Sequence, residues 1–327
     1  MGPYPKLVQD GAGREVPIVT TQGEYRYVGR LTAFFSANGR LTGIDDGRSG
    51  PVRVSGNPAD PDVAVPDPEL VSAVDEPLLA YRAAIDANII ATSEVPLDGR
   101  NPDPIRRRES NLGNLVADSF LHAAQKAGMD ADVAITNGGG IRNSNVLPAG
   151  PLSEGDTFRI LPFDNLIATV TVTRAQLKEL LENGYSVVPS TSSAGRFAQI
   201  GGMTVEVDTT RQARTTDSAC NVTAPGPAER VRNVTLEDGT VIVADGVVQA
   251  GPDVVVATTD FLAKGGDCYP FAPAAYTPTT IAYQQALEEY LTDPVAEGGL
   301  GGVVSAAAYP AGGEGRITIS PALPPLP

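Results

Sequence analysis

The sequence contains a single histidine, His122, among its 327 residues. It lies in Leu121–Lys126, a segment that we expect to be helical, and no second candidate metal ligand stands near it in the chain. We interpret it as a surface or half-buried helix residue. A dinuclear metal centre built on histidine needs more than one such side chain. We therefore expect this chain to bind no metal ion and no other cofactor.

Long apolar runs and basic charge are also scarce. No stretch approaches the roughly eighteen apolar residues that span a bilayer, so we predict no membrane span. The start, Met1–Pro5, has neither the basic residues nor the apolar core of a signal peptide.

The formal net charge of −15 argues against nucleic acid as a partner. A small anionic ligand is compatible with it, because a few arginines can make one pocket positive. A high-salt or extracellular habitat would equally explain the acidity.

Only two cysteines are present, Cys220 and Cys268, and their spacing fits no metal site. Two readings remain open at this point. They form one disulfide in an oxidising compartment, or they are two inert thiols.

The first third of the chain predicts strands followed by a connector. Strand-like segments run from 15 to 45, with a hairpin at Asn38–Gly39 between apolar runs. Residues 46–66 are rich in Gly, Pro and Asp, which indicates a linker. A helix is predicted from Asp67 to about residue 90, with Pro68 at its first position and a kink at Pro77.

From about residue 92 the pattern becomes mixed. A helix is predicted over 111–127, ending at Gly128, and a buried strand over Val133–Thr136. Further strands are expected at 168–173, 202–208, 253–259 and 315–319, helices at 175–183 and 281–291, and a hairpin over 231–243. The tail, 321–327, is rich in proline and expected to be loose. The predicted fold class is α+β, with mixed β-sheets and packed helices.

Asn137–Arg142 follows the buried strand and contains three glycines before its arginine. Glycines let the backbone approach a ligand and turn its N–H groups toward it, while arginine offers a fork suited to phosphate. The segment is neither a Walker loop nor a dinucleotide fingerprint. The alternative interpretation is a flexible turn with a surface arginine.

Arg106–Arg108 leads into the helix at 111. Positive side chains beside a helix N-terminus favour anion binding. The alternative, a solvated basic turn, is expected to hold for at least one of the three arginines.

Two loops carry phenylalanine beside Pro or Gly, where little regular structure is available for packing. They are Leu161–Asn165, which contains Phe163, and the segment from Phe261 to Asp267. Two such rings could sandwich a planar base, while Asn165 and Asp267 bind its edge or a ribose. Alternatively, both rings belong to the ordinary core.

Together, these segments resemble the C-terminal domain of the 5'-nucleotidase family, which includes bacterial UDP-sugar hydrolases and ecto-5'-nucleotidases. The resemblance covers roughly residues 95–320 and is specific because six motifs occur in the family's order. They are Arg106 with Glu109–Leu115, Asn137–Arg142, Leu161–Asn165, Gln199–Gly202, Asp260–Asp267 and Glu314–Ile317.

The resemblance assigns a role to the aromatic loops. It implies that Phe163 and Phe261 clamp the nucleobase and that Asn165 contacts the base. Asp267 would bind the ribose hydroxyls.

It also implies that Arg106 and Arg142 hold the phosphate and that Asn137 orients the scissile group. The sequence departs from some members at Pro102, where they carry a further arginine. It departs again at Cys268, where the family often has glycine.

In the family, an N-terminal calcineurin-like metallophosphatase domain supplies two divalent metal ions and the catalytic residues. The resemblance therefore implies that residues 1–45 are the end of that domain, 46–91 a linker and connecting helix, and 92–320 the nucleotide-binding domain. It implies hydrolysis of nucleoside 5'-phosphates by the parent enzyme, an AMP-like ligand, the metallophosphatase domain as partner and an extracytoplasmic location. This chain alone is expected to carry no catalytic residues and to be inactive. The alternative function is a non-catalytic nucleotide-binding or structural module.

Overall fold

The computed structural model describes residues 3–21, 23, 25–189 and 194–324. The chain divides into two compact units, 1–80 and 81–327, and the division falls at a position within the helix Glu76–Ala87. The elements of the first unit are β1 (Lys6–Gln9), β2 (Glu15–Ile18), β3 (Tyr27–Arg30), β4 (Ala33–Phe35), β5 (Leu41–Ile44), β6 (Gly50–Arg53), α1 (Pro68–Leu70), a π-helical turn (Val71–Asp75) and the start of α2 (Glu76–Ala87).

Antiparallel strand pairs make up the β-structure of the first unit: β1 with β2, β3 with β6, and β4 with β5. The Asn38–Gly39 hairpin is confirmed, because β4 and β5 pair around it and Gly39 has a φ of +76°. The segment 46–66, predicted as a linker, contains regular structure that the prediction did not include. Gly50–Arg53 is a strand whose backbone pairs with Tyr27–Arg30, a long-range pairing that the Gly/Pro composition does not reveal.

The helical connector begins as predicted. The Asp67 carboxylate accepts hydrogen bonds from the N–H groups of Glu69 and Leu70, and Pro68 occupies the first turn. The helix is irregular just before Pro77, in the π-helical turn, and α2 ends at Ala87 instead of continuing to 90. Its apolar stripe is not buried, since Leu78 is 61% exposed.

The first unit has almost no interior. Of its residues that the structure describes, Ser55 alone is buried. Phe35 is 64% and Val28 59% exposed, on strands that form only pairs. A two-stranded hairpin is marginally stable in water without a further packing surface. These strands therefore lack the core that would stabilise them on their own.

The second unit contains the remaining elements. They are β7 (Ile89–Ser93), β8 (Leu97–Asp98), α3 (Asn111–Lys126), β9 (Val133–Asn137), β10 (Val146–Leu147), β11 (Gly150–Ser153), α4 (Glu154–Ile160), β12 (Leu166–Val172), α5 (Arg174–Gly184), β13 (Ala198–Gly201), β14 (Met203–Asp208), β15 (Val231–Leu236), β16 (Val241–Ala244), β17 (Val247–Val248), β18 (Val254–Thr259), α6 (Asp260–Ala263), β19 (Tyr276–Ala282), α7 (Tyr283–Thr292), β20 (Val303–Val304) and β21 (Ile317–Ser320). Within the described ranges, no helix is both long and apolar enough to cross a bilayer.

A mixed five-stranded sheet in the order β13-β9-β18-β12-β19 forms the centre of this unit. β9 and β18 are parallel, and the other neighbours are antiparallel. Because side chains alternate along a strand, Val133 and Ile135 enter one core while Ala134 enters the other. This is why the strand reads as a continuous apolar run in the sequence.

One core lies between this sheet, α5 and a second five-stranded sheet in the order β17-β16-β15-β14-β21. The other core packs α3 and α7 with the central sheet. The α+β prediction is confirmed. Helix α3 has the predicted start and ends one residue early, with Gly128 at a φ of +76° just beyond it.

Buried Glu109 ties the C-terminal strand to the start of α3. Its carboxylate accepts hydrogen bonds from the backbone N–H groups of Glu314, Gly315 and Ile317 and from the side chain of Asn114. All these partners are donors, so the site requires a group with acceptors alone. Glu109, within the first motif, therefore has a structural role.

We expect Glu109→Gln to destabilise the chain by about 2–4 kcal/mol, because an amide NH₂ would face buried N–H donors. Urea unfolding measures this change. The control is Glu314→Gln, whose exposed carboxylate pairs with Arg316 and whose loss should cost less than about 1 kcal/mol. Equal effects of the two substitutions would contradict this structural role for Glu109.

Candidate functional site

The central sheet brings four loops to one edge. β9 and β18 are parallel, so the segments after Asn137 and Thr259 leave the sheet on the same side. β12 and β13 run the opposite way and begin at that side, since Ile167 lies opposite Thr259 and Ala198 opposite Asn137. The loops before Leu166 and before Ala198 therefore reach the same place.

These loops and the arginine segment line a cavity of about 380 Å³. Its lining residues include every sequence-predicted site residue: Arg106, Asn137, Arg142, Phe163, Asn165, Phe261 and Asp267, together with Gly139, Gly140 and Gly195. A cavity of this size falls within the usual range for small-molecule sites.

The two phenylalanine rings are both 42% exposed and line this one cavity, so neither belongs to the ordinary core. The Phe163 N–H donates to the Tyr283 hydroxyl at 2.6 Å, and the Arg142 guanidinium carbon lies 5.0 Å from the Phe163 ring centre. The Phe261 ring rests against Gly266, where a β-carbon would be only 2.5 Å from the ring atoms.

Asp260 connects the two aromatic loops. Its carboxylate accepts the backbone N–H of Leu166, beside the Phe163 loop, and the ammonium group of Lys264, beside Phe261. Partial burial raises the pKa of Asp260, but the bonds from Lys264 and Leu166 outweigh it, so the pKa lies below its ordinary value. The carboxylate is therefore charged at neutral pH, which strengthens both bonds.

Asn137 and Asp267 form the polar wall. The Asn137 side chain donates to one Asp267 carboxylate oxygen at 2.6 Å, and the Asn183 side chain donates to the Asp267 backbone carbonyl at 3.1 Å. Asp267 has a φ of 52°, a conformation that residues other than glycine rarely adopt.

Arg106 and Arg142 place two positive groups on the same cavity. Burial lowers the pKa of Arg106, and the nearby Arg142 guanidinium lowers it further, while Asp267 raises it. Of the basic run, Arg106 alone lines the cavity. Arg107 and Arg108 both pair with Asp103. The alternative of a solvated turn was wrong for Arg107, which is 1% exposed.

The expectation that the glycine loop turns its N–H groups toward a ligand was wrong. The N–H groups of Gly138, Gly139 and Gly140 donate to the carbonyls of Phe197, Gly195 and Asn137. The glycines are required by packing instead, since a β-carbon at Gly138 would lie 2.2 Å from the Ile105 carbonyl oxygen. The loop is tightly packed, which also excludes the flexible-turn interpretation.

Comparison with known proteins agrees with this architecture. The family 5'-nucleotidase, C-terminal domain, matches residues 89–274, which is more than half of the chain. The chain belongs to this family.

Similar proteins include the trifunctional nucleotide phosphoesterase protein YfkN of Bacillus subtilis strain 168, 34% identical over 55% of this chain and 11% of that protein. The cell wall protein Lmo0130 of Listeria monocytogenes is 30% identical over 62% of this chain and 24% of its own length. Among solved structures, the 5'-nucleotidase precursor from Thermus thermophilus is 29% identical, with a TM-score of 0.58, over 98% of this chain and 55% of that one. The chain thus spans about half or less of the length of these relatives.

Several residues that sequence reasoning missed support the site. Gln199, in the family motif Gln199–Gly202, is buried and donates to the carbonyls of Ile105 and Arg108, on either side of Arg106. Tyr283 anchors the Phe163 loop. The motif was a signal for Gln199, whereas nothing local marks Tyr283, which lies 120 residues from Phe163.

The cysteine pair, left open by the sequence, is a disulfide between Cys220 and Cys268. Cys268 directly follows Asp267, so the crosslink reaches the edge of the cavity.

His122 lies elsewhere, on a separate cavity of about 610 Å³ that includes Lys126 and Tyr290. Its Nε2 lies 2.8 Å from the Asp293 carboxylate. His122 lies on a helix as predicted, but the expectation of a surface or half-buried position was wrong, because the residue is buried with 6% of its area exposed.

We expect Tyr283→Phe to weaken the site without altering the fold, because it removes the acceptor for the Phe163 N–H. Urea unfolding should show a loss of about 1 kcal/mol. Calorimetric titration with adenosine should show a loss of affinity of a few fold. Tyr290→Phe is the matched control. Tyr290 lines the separate cavity of about 610 Å³ that also contains His122, and its hydroxyl bonds to that of Tyr309. Its loss should lower stability and leave the affinity for adenosine unchanged. Unchanged binding in Tyr283→Phe would show that Tyr283 does not position the loop.

Proposed function

We propose that this chain is the nucleotide-recognition part of a 5'-nucleotidase that hydrolyses nucleoside 5'-phosphates. The observation that carries the proposal is the single cavity on which two half-exposed phenylalanine rings, a hydrogen-bonded Asn/Asp pair and two arginines converge. Membership of the 5'-nucleotidase C-terminal domain family supports it.

The base would stack between Phe163 and Phe261, because flat apolar rings bind nucleobases through their faces irrespective of sequence. Asn165 would contact the base edge. Asp267, with one carboxylate oxygen bonded to Asn137, would accept hydrogen bonds from the ribose hydroxyls.

The phosphate would bind between Arg106 and Arg142. Burial and then the nearby Arg142 guanidinium lower the pKa of Arg106, and an anion bound between the two arginines would favour the charged form of Arg106. Planar, forked donors match phosphate oxygens well. In the proposed complex Asn137 orients the phosphate group. The base, ribose and phosphate contacts together fit an AMP-like nucleotide.

The metal chemistry would come from a separate metallophosphatase domain holding two divalent ions. Among the residues that the structure describes, no group of three His, Cys, Asp or Glu side chains is arranged to hold a metal ion. The His122 imidazole, which lies against Asp293, is on the other cavity. The described residues of this chain do not fit a dimetal centre, so no hydrolytic step is assigned to them.

The first unit supports the existence of such a partner domain. Its strand pairs expose large apolar side chains, among them Phe34 and Phe35, which are 54% and 64% exposed. In our proposal residues 1–45 complete the metallophosphatase domain, which then covers those side chains.

We also propose an extracytoplasmic location for this chain. Disulfides persist in oxidising compartments, and this chain has one. One relative is named a cell wall protein.

Isothermal titration with adenosine and AMP tests recognition directly. We expect micromolar-to-millimolar binding of both, and Phe163→Ala should weaken both by about tenfold or more through lost stacking. The control is Phe158→Ala, a ring of similar exposure (39%) on α4 that is not among the cavity-lining residues, which should bind normally. Absence of heat with the wild type, or identical heats for the wild type and Phe163→Ala, would refute the proposal.

A second prediction concerns catalysis. We expect this chain to release no phosphate from AMP when Mn²⁺, Mg²⁺ or Zn²⁺ is added, because it cannot assemble the metal centre. A colorimetric phosphate assay measures this, with a full-length family member as positive control. Metal-dependent release that disappears in His122→Ala would overturn the assignment of catalysis to another domain.

A further inference from the structure

The disulfide joins Cys268, which follows the Phe261–Asp267 segment of the candidate site, to Cys220 in the long connection between β14 and β15. Cys220 lies at the tip of a tight turn, where the Asp217 carboxylate accepts the N–H groups of Ala219 and Asn221. The flanking residues Thr216 and Val222 pair as an antiparallel bridge. The cysteine is therefore presented by a small hairpin with its own hydrogen bonds.

Within the part of the chain that the structure describes, the segments on either side of this hairpin are bonded to helix α5 and not to the Phe261–Asp267 segment. Arg214, just before it, pairs with Glu179 on α5 at 2.9 Å. Beyond it, the Ala228 carbonyl accepts from Lys178, and the Arg230 N–H donates to buried Glu182, both also on α5. Helix α5 thus provides a packed base for the crosslink.

The other end of the crosslink enters an unusual stretch of backbone. Gly265, Asp267 and Cys268 have φ angles of 92°, 52° and 62°. Glycine adopts this region freely, whereas Asp and Cys rarely do. Two adjacent non-glycine residues in this conformation need surroundings that hold them there.

Among the described residues, the side chain of Asp267 accepts a hydrogen bond from Asn137, packs against Gly195 and lies near the charge of Arg106, while its carbonyl accepts from Asn183. We propose that the Cys220–Cys268 disulfide is a positioning element of the site: it holds the left-handed backbone at 267–268 and so aims the Asp267 carboxylate at the ribose hydroxyls of the bound nucleotide. The inference rests on the proposed function, because it concerns one contact of that same site.

The crosslink therefore acts mainly on ribose recognition. Arg106 and Arg142 belong to other loops, and Gln199 secures the first of them. Asp267 is nevertheless linked to the phosphate end of the site through its bond with Asn137 and its charge near Arg106. Loss of the disulfide should lower the ratio of affinities for adenosine and 2′,3′-dideoxyadenosine, which differ only in the hydroxyls, and should change the ratio for AMP and adenosine by a smaller factor.

The experiment compares the wild type with Cys220→Ala/Cys268→Ala and Cys220→Ala/Cys268→Gly by calorimetric titration, well below the unfolding temperature of each. In the wild type we expect adenosine to bind about tenfold more tightly than the dideoxy analogue, the effect of hydrogen bonds to a charged acceptor. The ratio should fall toward one in the double-alanine variant. It should recover in part with glycine at 268, which adopts a positive φ without a crosslink. The AMP-to-adenosine ratio should change less between the three proteins than the adenosine-to-dideoxyadenosine ratio, whereas a general loss of structure would change both alike.

The outcomes separate the two proposals. If the wild type binds neither nucleoside, the proposed function itself fails. If the wild type discriminates and the double-alanine variant discriminates equally, recognition stands and the positioning role is overturned. If discrimination is lost and does not recover in the glycine variant, the backbone conformation at 268 is not the route by which the disulfide acts. Asp267→Ala, which removes both carboxylate oxygens, provides the reference for complete loss of the contact.

Discussion

The parallel pairing of β9 with β18 is the constraint from which the site follows. Both strands are buried on both faces, so their register is set by two cores at once. Parallel strands end on the same side, which places Asn137 and the Phe261 loop next to each other although more than a hundred residues separate them. The antiparallel neighbours β12 and β13 then begin where these strands end and complete the ring of loops.

The supporting contacts around that edge have one common property. In each of them, a residue or loop that lines the cavity is held in position by a residue that does not line it. Tyr283 holds Phe163, Gln199 holds the backbone around Arg106, and Asp260 joins the two aromatic loops. Such supports fix the positions of the cavity-lining groups before a ligand arrives, which lowers the ordering cost of binding. Supporting residues such as Tyr283 and Gln199 are buried, so the packed cores of the second unit fix their positions.

The sequence was most informative where a local rule and the fold agree. The apolar run Val133–Thr136 predicted a buried strand, and Asn38–Gly39 predicted a hairpin, because each pattern depends on neighbouring residues. Strand Gly50–Arg53 was not foreseen, since its stability comes from a partner twenty residues away. Local patterns singled out the segments that contain the seven candidate residues, and the resemblance implied a role for each residue. The structure brings the seven to one cavity, but what they bind stays a prediction.

The glycine loop and the arginine run show why the remaining details could not be read from sequence. Three glycines suit either a ligand or a close backbone neighbour, and the difference lies in Ile105 and Gly195, which are distant in sequence from the loop. Likewise, Arg106 and Arg107 are adjacent and chemically identical. One lines the cavity and the other is buried beside Asp103, and only the turn geometry separates them.

The contact between Phe261 and Gly266 has a consequence for the shape of the cavity. The ring lies directly on the backbone, in the space that a side chain at 266 would fill. A methyl group at 266 would displace the ring and so change the width of the cavity, although no aromatic residue had been substituted. The room beside Phe261 is therefore governed by a residue that presents no side chain at all.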